Sequence, residues 1–420
     1  MSEQARGAAA DQPAPRAVGL LHPLVHHSFA LIAGATLISS IGVWMRDTTS
    51  AWTVAGHANG AASVALVQAA TTLPTFLLAL PAGVLADHFD RRLILILCQL
   101  VLAAVGFVLA GLSWLDQLSV GAIVVLAFIA GCAAALSAPA FQSIVPALVP
   151  PADLRPAVAL SSVSFNIARV IGPSIGGVLL ATSGAAATYT FNAVAYLVTI
   201  GALLALPSNV CPNSVRAPVA FRAELHQGFA YVAQSSPFRR LLARAAALYV
   251  CAACYLALTP AIAHDILGKS PGIYGVLLSA VGIGSLVGAM LMSTAKKRGI
   301  DDEILLIACS ATGAVALALL SIAREPILAS AALALAGAGT LIQLATFNAT
   351  AQLLLPEAIR GRGLSIYMAA TFGCMAVGSL LWGAIAQAFS ISVALVLAAI
   401  GFAFAAVAGR FLPLEIGGRP

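Results

Sequence analysis

Gly83-Val84-Leu85-Ala86-Asp87-His88-Phe89-Asp90-Arg91-Arg92 is a dense charge cluster set between two long apolar runs, Ser63–Ala82 and Leu93–Leu112. Each run supplies the ~20 residues that a helix needs to cross a bilayer. The ten residues therefore read as the short turn joining two membrane spans. Composition agrees: the chain is 61% hydrophobic and 9% charged, with a mean hydropathy of +1.00, whereas soluble domains carry about a quarter charged residues. A soluble core could not hide that much apolar surface.

On either side of this turn, polar, Gly/Pro and charged clusters divide the chain into twelve spans. In the first half they run 28–56, 62–85, 93–112, 119–142, 157–181 and 185–206. In the second half they run 239–263, 272–294, 304–322, 327–350, 361–385 and 389–410. The expected fold is thus an all-α membrane protein of twelve transmembrane helices in two six-helix halves, 28–206 and 239–410. A polar, Pro/Ala-rich tail at 1–27 carries no n-region and h-region ahead of a cleavage site, so the first span serves as an uncleaved insertion signal. The linker 207–238 contains Phe221–Ala233, whose Phe221, Leu225, Phe229 and Val232 share one face. That pattern suits an amphipathic helix lying on the membrane. A short tail, 411–420, closes the chain.

Charge fixes the expected orientation. The net charge is only +6, but the Lys and Arg of the tails and of every second loop, from Arg6 and Arg16 to Arg410 and Arg419, fall on one side. Lys269 and Arg324 alone lie clearly on the other. The positive-inside rule then places both termini in the cytoplasm. Cys251-Ala-Ala-Cys254 has metal-like spacing but no second pair or histidine cluster, so it reads as one turn of small residues in a span.

The halves echo each other at an offset near 206. Pro139–Pro150 aligns with Ala345–Pro356, Gly172 falls on Gly378, and Gly177 on Gly383. Gly83 with Arg91-Arg92 corresponds, one residue out of step, to Gly288 with Lys296-Lys297. Transporters are commonly built from such repeats, with the substrate site between them.

Two motifs carry a resemblance. The turn Gly83–Arg92 resembles the loop 2–3 signature of the major facilitator superfamily, with Asp90 in place of the usual glycine. That variant belongs to the exporter branch that includes the enterobactin exporters, the transmembrane secretion effectors. Gly172-Pro173-Ser174-Ile175-Gly176-Gly177 resembles the helix 5 element of the antiporter members. Its missing side chains let helix backbones approach, and its proline permits a kink; generic tight packing of helices is the competing reading. The resemblance implies that Gly83, Asp87, Asp90, Arg91 and Arg92 steady one conformer. Asp87 would act on the end of a helix in the opposite half, and the two arginines would share that task or anchor the loop to lipid phosphates.

Three charges stand out as mechanism. Arg169 sits one turn before the Gly-Pro element near mid-span, where a charge costs roughly 2.5–3.5 kcal/mol. It should face an aqueous cavity, a substrate or a carboxylate, or else be tied to carbonyls or Asn166 of its own helix. The family's helix 4 arginine has no counterpart in Ala127-Phe128-Ile129-Ala130. Asp47, beside Arg46, is the only acid that can lie within a span, provided helix 1 continues to Ala55 rather than stopping near Met45. A carboxylate balanced between burial and a neighbouring arginine can exchange protons. Asn166, Gln343, Asn348 and Tyr367 are further cavity candidates, although Gln and Asn also join helices in lipid.

The resulting expectation is a monomeric secondary transporter in a bacterial inner membrane. It exports a small amphipathic siderophore or drug by proton antiport, with no cofactor, no metal, no nucleic acid and no catalytic residues. A proton-coupled nutrient importer and a non-transporting sensor or scaffold of the same fold are the alternatives. No G-x-x-x-x-G-K-[ST] loop is present for ATP-driven pumping.

Overall fold

The structure, a computed structural model, describes residues 21–57, 60–88, 90–207, 230–232, 234–268, 270–356, 360–411 and 414, with backbone alone at 79–88, 143 and 360–362. The amphipathic stretch expected within the linker, and most of both tails, lie outside the described residues.

Among the described residues, eleven helices are long and apolar enough to cross a membrane. One of them, Leu154–Leu204, has 51 residues. At 1.5 Å per residue it would run about 75 Å, more than twice a bilayer's hydrocarbon thickness. It breaks at Gly184 (φ 78°, ψ 175°), a conformation that only glycine adopts readily. Its arms, 154–183 and 185–204, are therefore α5 and α6 of a twelve-helix arrangement. The others are α1 His27–Ala55, α2 Gly60–His88, α3 Arg91–Trp114, α4 Val120–Leu148, α7 Ser236–Ala261, α8 Pro271–Lys297, α9 Asp302–Ile322, α10 Pro326–Leu354, α11 Arg360–Ala388 and α12 Ile391–Phe411. Helices α4 and α10 run past the expected ends at 142 and 350. Pro139 and Pro146 lie inside α4, which membrane helices tolerate because neighbours re-satisfy the freed carbonyls. Beyond Pro260, α7 loosens into a π-turn, Ile262–Ile266, as helices do where a ring removes a hydrogen bond.

Local chemistry sets the helix starts. Asp90 caps α3 by accepting the backbone N–H groups of Arg92 (2.8 Å) and Leu93 (3.4 Å), which satisfies donors otherwise orphaned at a helix start. Ser119, Ser235 and Asp301 cap α4, α7 and α9 in the same way. Arg92 Nη2 donates to the Leu204 carbonyl at the end of α6 (2.8 Å), a favourable place for a cation. These contacts tie the loop within its own half.

Each half has its own buried core, one around Leu95, Leu109, Tyr189 and Leu203, the other around Leu248, Leu258, Leu317 and Leu395. Packing repeats between them: α1 lies on α5 and α6 as α7 lies on α11 and α12, α2 on α4 as α8 on α10, and α3 on α6 as α9 on α12. The halves meet along α2 with α11 and α5 with α8. Exposed Leu97, Val108, Ile400 and Phe404 give the outside an apolar skin suited to lipid.

Candidate transport cavity

A cavity of about 250 Å³ lies between the halves. Helix α1 brings Trp44, Arg46, Asp47 and Ser50 to it, α2 brings Gln68 and Thr71, and α5 brings Arg169. From the other half come Leu256 of α7, Tyr274 and Leu278 of α8, and Met375 of α11. Asp47 and Arg46 reach this wall because α1 stays helical to Ala55.

The charges have specific partners. Arg46 is 8% exposed and grips one carboxylate oxygen of Asp47 with Nε (3.0 Å) and Nη2 (2.7 Å). Its Nη1 is buried without a hydrogen-bond partner among the described residues, an expensive state for a guanidinium N–H. The Asp47 side chain keeps 40% exposure, so the pair is half buried and half open to the cavity. Arg169 sits over the Trp44 ring, 5.9 Å from its centroid, in cation–π geometry. The charges singled out from the sequence, Arg46, Asp47 and Arg169, thus line one chamber.

The helix 5 element forms the seam around that chamber. A Cβ at Gly172 would lie 2.6 Å from Trp44 Cβ, and one at Gly176 2.8 Å from Met45 Cα. At Gly177 it would lie 2.6 Å from the Pro271 carbonyl oxygen across the half-to-half boundary. Gly275 of α8 returns the contact: a Cβ added there would run into the Pro173 carbonyl oxygen. Ser174 Oγ lies 2.8 Å from Ser279 Oγ, and Ser279 donates to the Val170 carbonyl. The internal repeat has a physical counterpart: Gly378 packs on α7 at Val250 and Gly383 on α2 at Ala65, as Gly172 packs on α1 and Gly177 on α8.

Other expected residues lie elsewhere. Asn166 donates back to the Ser162 carbonyl of its own helix (2.8 Å). Gln343 accepts from Ser310 (3.4 Å) and lines a separate pocket of about 160 Å³ with Arg244 and Phe402. Tyr367 is fully buried in the second half's core, and Asn348 is half-buried on α10. None of the four lines the chamber. Gly83 falls within α2, and the Asp87 side chain lies outside the described residues.

Two features were not foreseen. Trp52 of α1 stacks on Tyr274 of α8 (5.9 Å, 24°) and meets His264 edge-on (5.5 Å), joining the halves beside the chamber. Arg244 of α7, 10% exposed, holds both oxygens of Glu303 at 2.6 and 2.8 Å.

A model of the transmembrane secretion effector family matches residues 18–418. The enterobactin exporter EntS of Escherichia coli O1:K1 / APEC is 30% identical over 303 residues, 72% of this chain and 71% of that one. The staphyloferrin A transporter of Staphylococcus aureus is 23% identical over 253 residues, 60% of this chain and 63% of the other. Among solved structures, the nucleoside transporter NupG matches with a TM-score of 0.72 at 14% identity, over 92% of this chain and 98% of that chain. A bacterial homolog of the human lysosomal transporter Spinster, inward-facing and unoccupied, matches with 0.72 at 13%, over 94% and 99%. At such identities these two matches speak for the fold alone, which is the major facilitator fold.

Proposed function

We propose that this chain, which belongs to the transmembrane secretion effector family, exports a small amphipathic molecule of the siderophore or drug kind. Membership makes it a multi-pass membrane transporter and not an enzyme. The finer reading rests on one observation: Arg169, Arg46 and Asp47 share a chamber between two pseudo-symmetric halves. A guanidinium over an aromatic ring suits an aromatic or carbonyl-rich solute with anionic character. The two named relatives are an enterobactin exporter and a staphyloferrin A transporter, which supports a siderophore as the solute.

A chamber of about 250 Å³ is smaller than the ~300–1,000 Å³ of drug-sized pockets. The solute therefore enters and leaves as the halves rock about the glycine seam, the alternating access of repeat-built transporters. Asp47 supplies the carboxylate for proton antiport, and no resident cofactor takes part. The protein works as a monomer in a bacterial inner membrane with both termini in the cytoplasm, as its Lys and Arg distribution favours.

Everted membrane vesicles energised with a pH gradient, and offered candidate siderophores and dyes, test this reading. Accumulation of at least one siderophore, abolished by an uncoupler, is expected. Extrusion from everted vesicles, with accumulation in right-side-out ones, would identify an importer instead.

A further inference from the structure

Away from the chamber, two histidines and an aspartate meet at the end of the bundle where α1 and α5 begin. His22 opens a 3-10 turn, His22–Val25, and His26 is the N-cap residue of α1, its side chain unused by that cap. Asp153 ends the short turn Pro151–Asp153 that leads into α5. His22 Nδ1 lies 3.1 Å from one carboxylate oxygen of Asp153, and His26 Nε2 lies 2.7 Å from the other. The three ligand atoms all lie within 4.8 Å of one another.

We propose that His22, His26 and Asp153 form a binding site for a divalent transition-metal cation of the zinc type. The cation would staple the segment ahead of α1 to the turn ahead of α5. The donor set is two imidazole nitrogens and one carboxylate oxygen, with room for water in a fourth position, a set that zinc takes readily. Tetrahedral zinc with bonds of about 2.0–2.2 Å holds its ligand atoms roughly 3.3–3.5 Å apart. The nitrogen–oxygen contacts of 3.1 and 2.7 Å run to different oxygens of Asp153, so binding lets one oxygen move off its histidine while the three ligand atoms, already within 4.8 Å of one another, draw in around the ion.

Burial gives the second line of argument. Asp153 is 4% exposed, and a buried carboxylate is costly without a compensating charge. The two imidazoles satisfy its hydrogen bonds, and a dication coordinated by one of its oxygens would compensate its charge. The His22 side chain is 51% exposed, which leaves a path for the ion from solvent. The site is independent of the transported solute. It nevertheless bears on the transport machinery, because α1 carries Arg46 and Asp47 and α5 carries Arg169.

The test uses the full-length protein, purified in detergent without a polyhistidine tag and stripped with a chelator. It is titrated with Zn²⁺, and with Co²⁺ as a spectroscopic probe. Wild type should bind one equivalent, show a low-symmetry cobalt absorption and melt at a higher temperature with zinc. His26→Gln keeps a donor for the carboxylate but is a poor metal ligand. It should bind at least tenfold more weakly and lose the zinc-dependent shift, with the metal-free melt little changed. His22→Ala should act in the same direction. Equal zinc binding by wild type and the His22→Ala/His26→Gln double variant would place the ion elsewhere and overturn the proposal. Absence of any zinc-dependent shift in wild type would reduce the cluster to a hydrogen-bonded tie and overturn it equally.

Discussion

Arg169 of α5 holds its guanidinium 5.9 Å from the ring centroid of Trp44 on α1. A cation near mid-span otherwise costs roughly 2.5–3.5 kcal/mol, and a cation–π contact returns about 0.5–2 kcal/mol. The remainder falls to water or to solute in the chamber. Trp44→Phe should keep most transport, and Trp44→Ala should lower it several-fold. Arg169→Lys should recover only part of the activity, since lysine lacks the planar fork of donors, and Arg169→Ala should lose nearly all of it. Initial rates in vesicles at matched expression test the series. Full activity in Arg169→Ala would remove this residue from the mechanism.

The seam around Gly177 and Gly275 makes a second prediction. Their backbones approach so closely that an added Cβ meets the Pro271 carbonyl oxygen at 2.6 Å in the first case and the Pro173 carbonyl oxygen in the second. Overpacking of that kind costs typically 1–3 kcal/mol. It falls on the conformer in which α5 touches α8. Gly177→Val should insert normally yet hold this seam apart and slow turnover at least tenfold. Crosslinking between cysteines placed at Ser174 and Ser279, whose hydroxyl oxygens lie 2.8 Å apart, reports the separation. Undiminished crosslinking and turnover in Gly177→Val would show that the seam can yield without consequence.

Arg244 and Glu303 make a purely structural prediction. Arg244 Nη1 donates to both oxygens of Glu303, and the two side chains are 10% and 25% exposed. Removing one member of a buried pair costs about 3–5 kcal/mol, because the other charge stays behind. Glu303 is partly open, so Arg244→Met should cost about 3 kcal/mol, the lower end of that range. Adding Glu303→Gln should restore much of the loss. Thermal melts of the two variants in detergent separate this from a transport defect. An additive double variant, with no recovery, would mean the two residues are not coupled.

What was legible in the sequence follows from what each signal depends on. The spans were legible because a run of ~20 apolar residues has one use in lipid, and the glycine that breaks α5 from α6 falls between the expected ends at 181 and 185. Asp47 and Arg169 were legible because a charge in such a run is anomalous. Asn166, Gln343, Asn348 and Tyr367 were not. An amide or phenol on a membrane helix serves equally as a cavity wall, a helix tie or a core residue. Which face it takes depends on helix rotation, which tertiary packing decides. Asn166 bonds to its own helix, a choice no spacing rule distinguishes. Trp52 on Tyr274 depends on how the two halves dock. Arg244 and Glu303, 59 residues apart, each stand near a span's end, where a charge looks merely interfacial.

The Arg46–Asp47 pair carries the last prediction. Arg46 binds a single Asp47 oxygen through two nitrogens, while the carboxylate stays 40% exposed to the chamber. On the proposed antiport, this carboxylate is the group that would exchange a proton with the chamber. Asp47→Asn keeps the shape but cannot titrate. It should abolish accumulation driven by a pH gradient and leave exchange of preloaded solute partly intact, because rocking of the halves needs no proton. Arg46→Lys should keep a charge partner for Asp47 and retain some coupled transport. Arg169→Ala, by contrast, should damage both modes. Normal gradient-driven accumulation in Asp47→Asn would remove the carboxylate from coupling. As Asp47 is the acid that lines the chamber, antiport through a carboxylate in that chamber would then have to be given up.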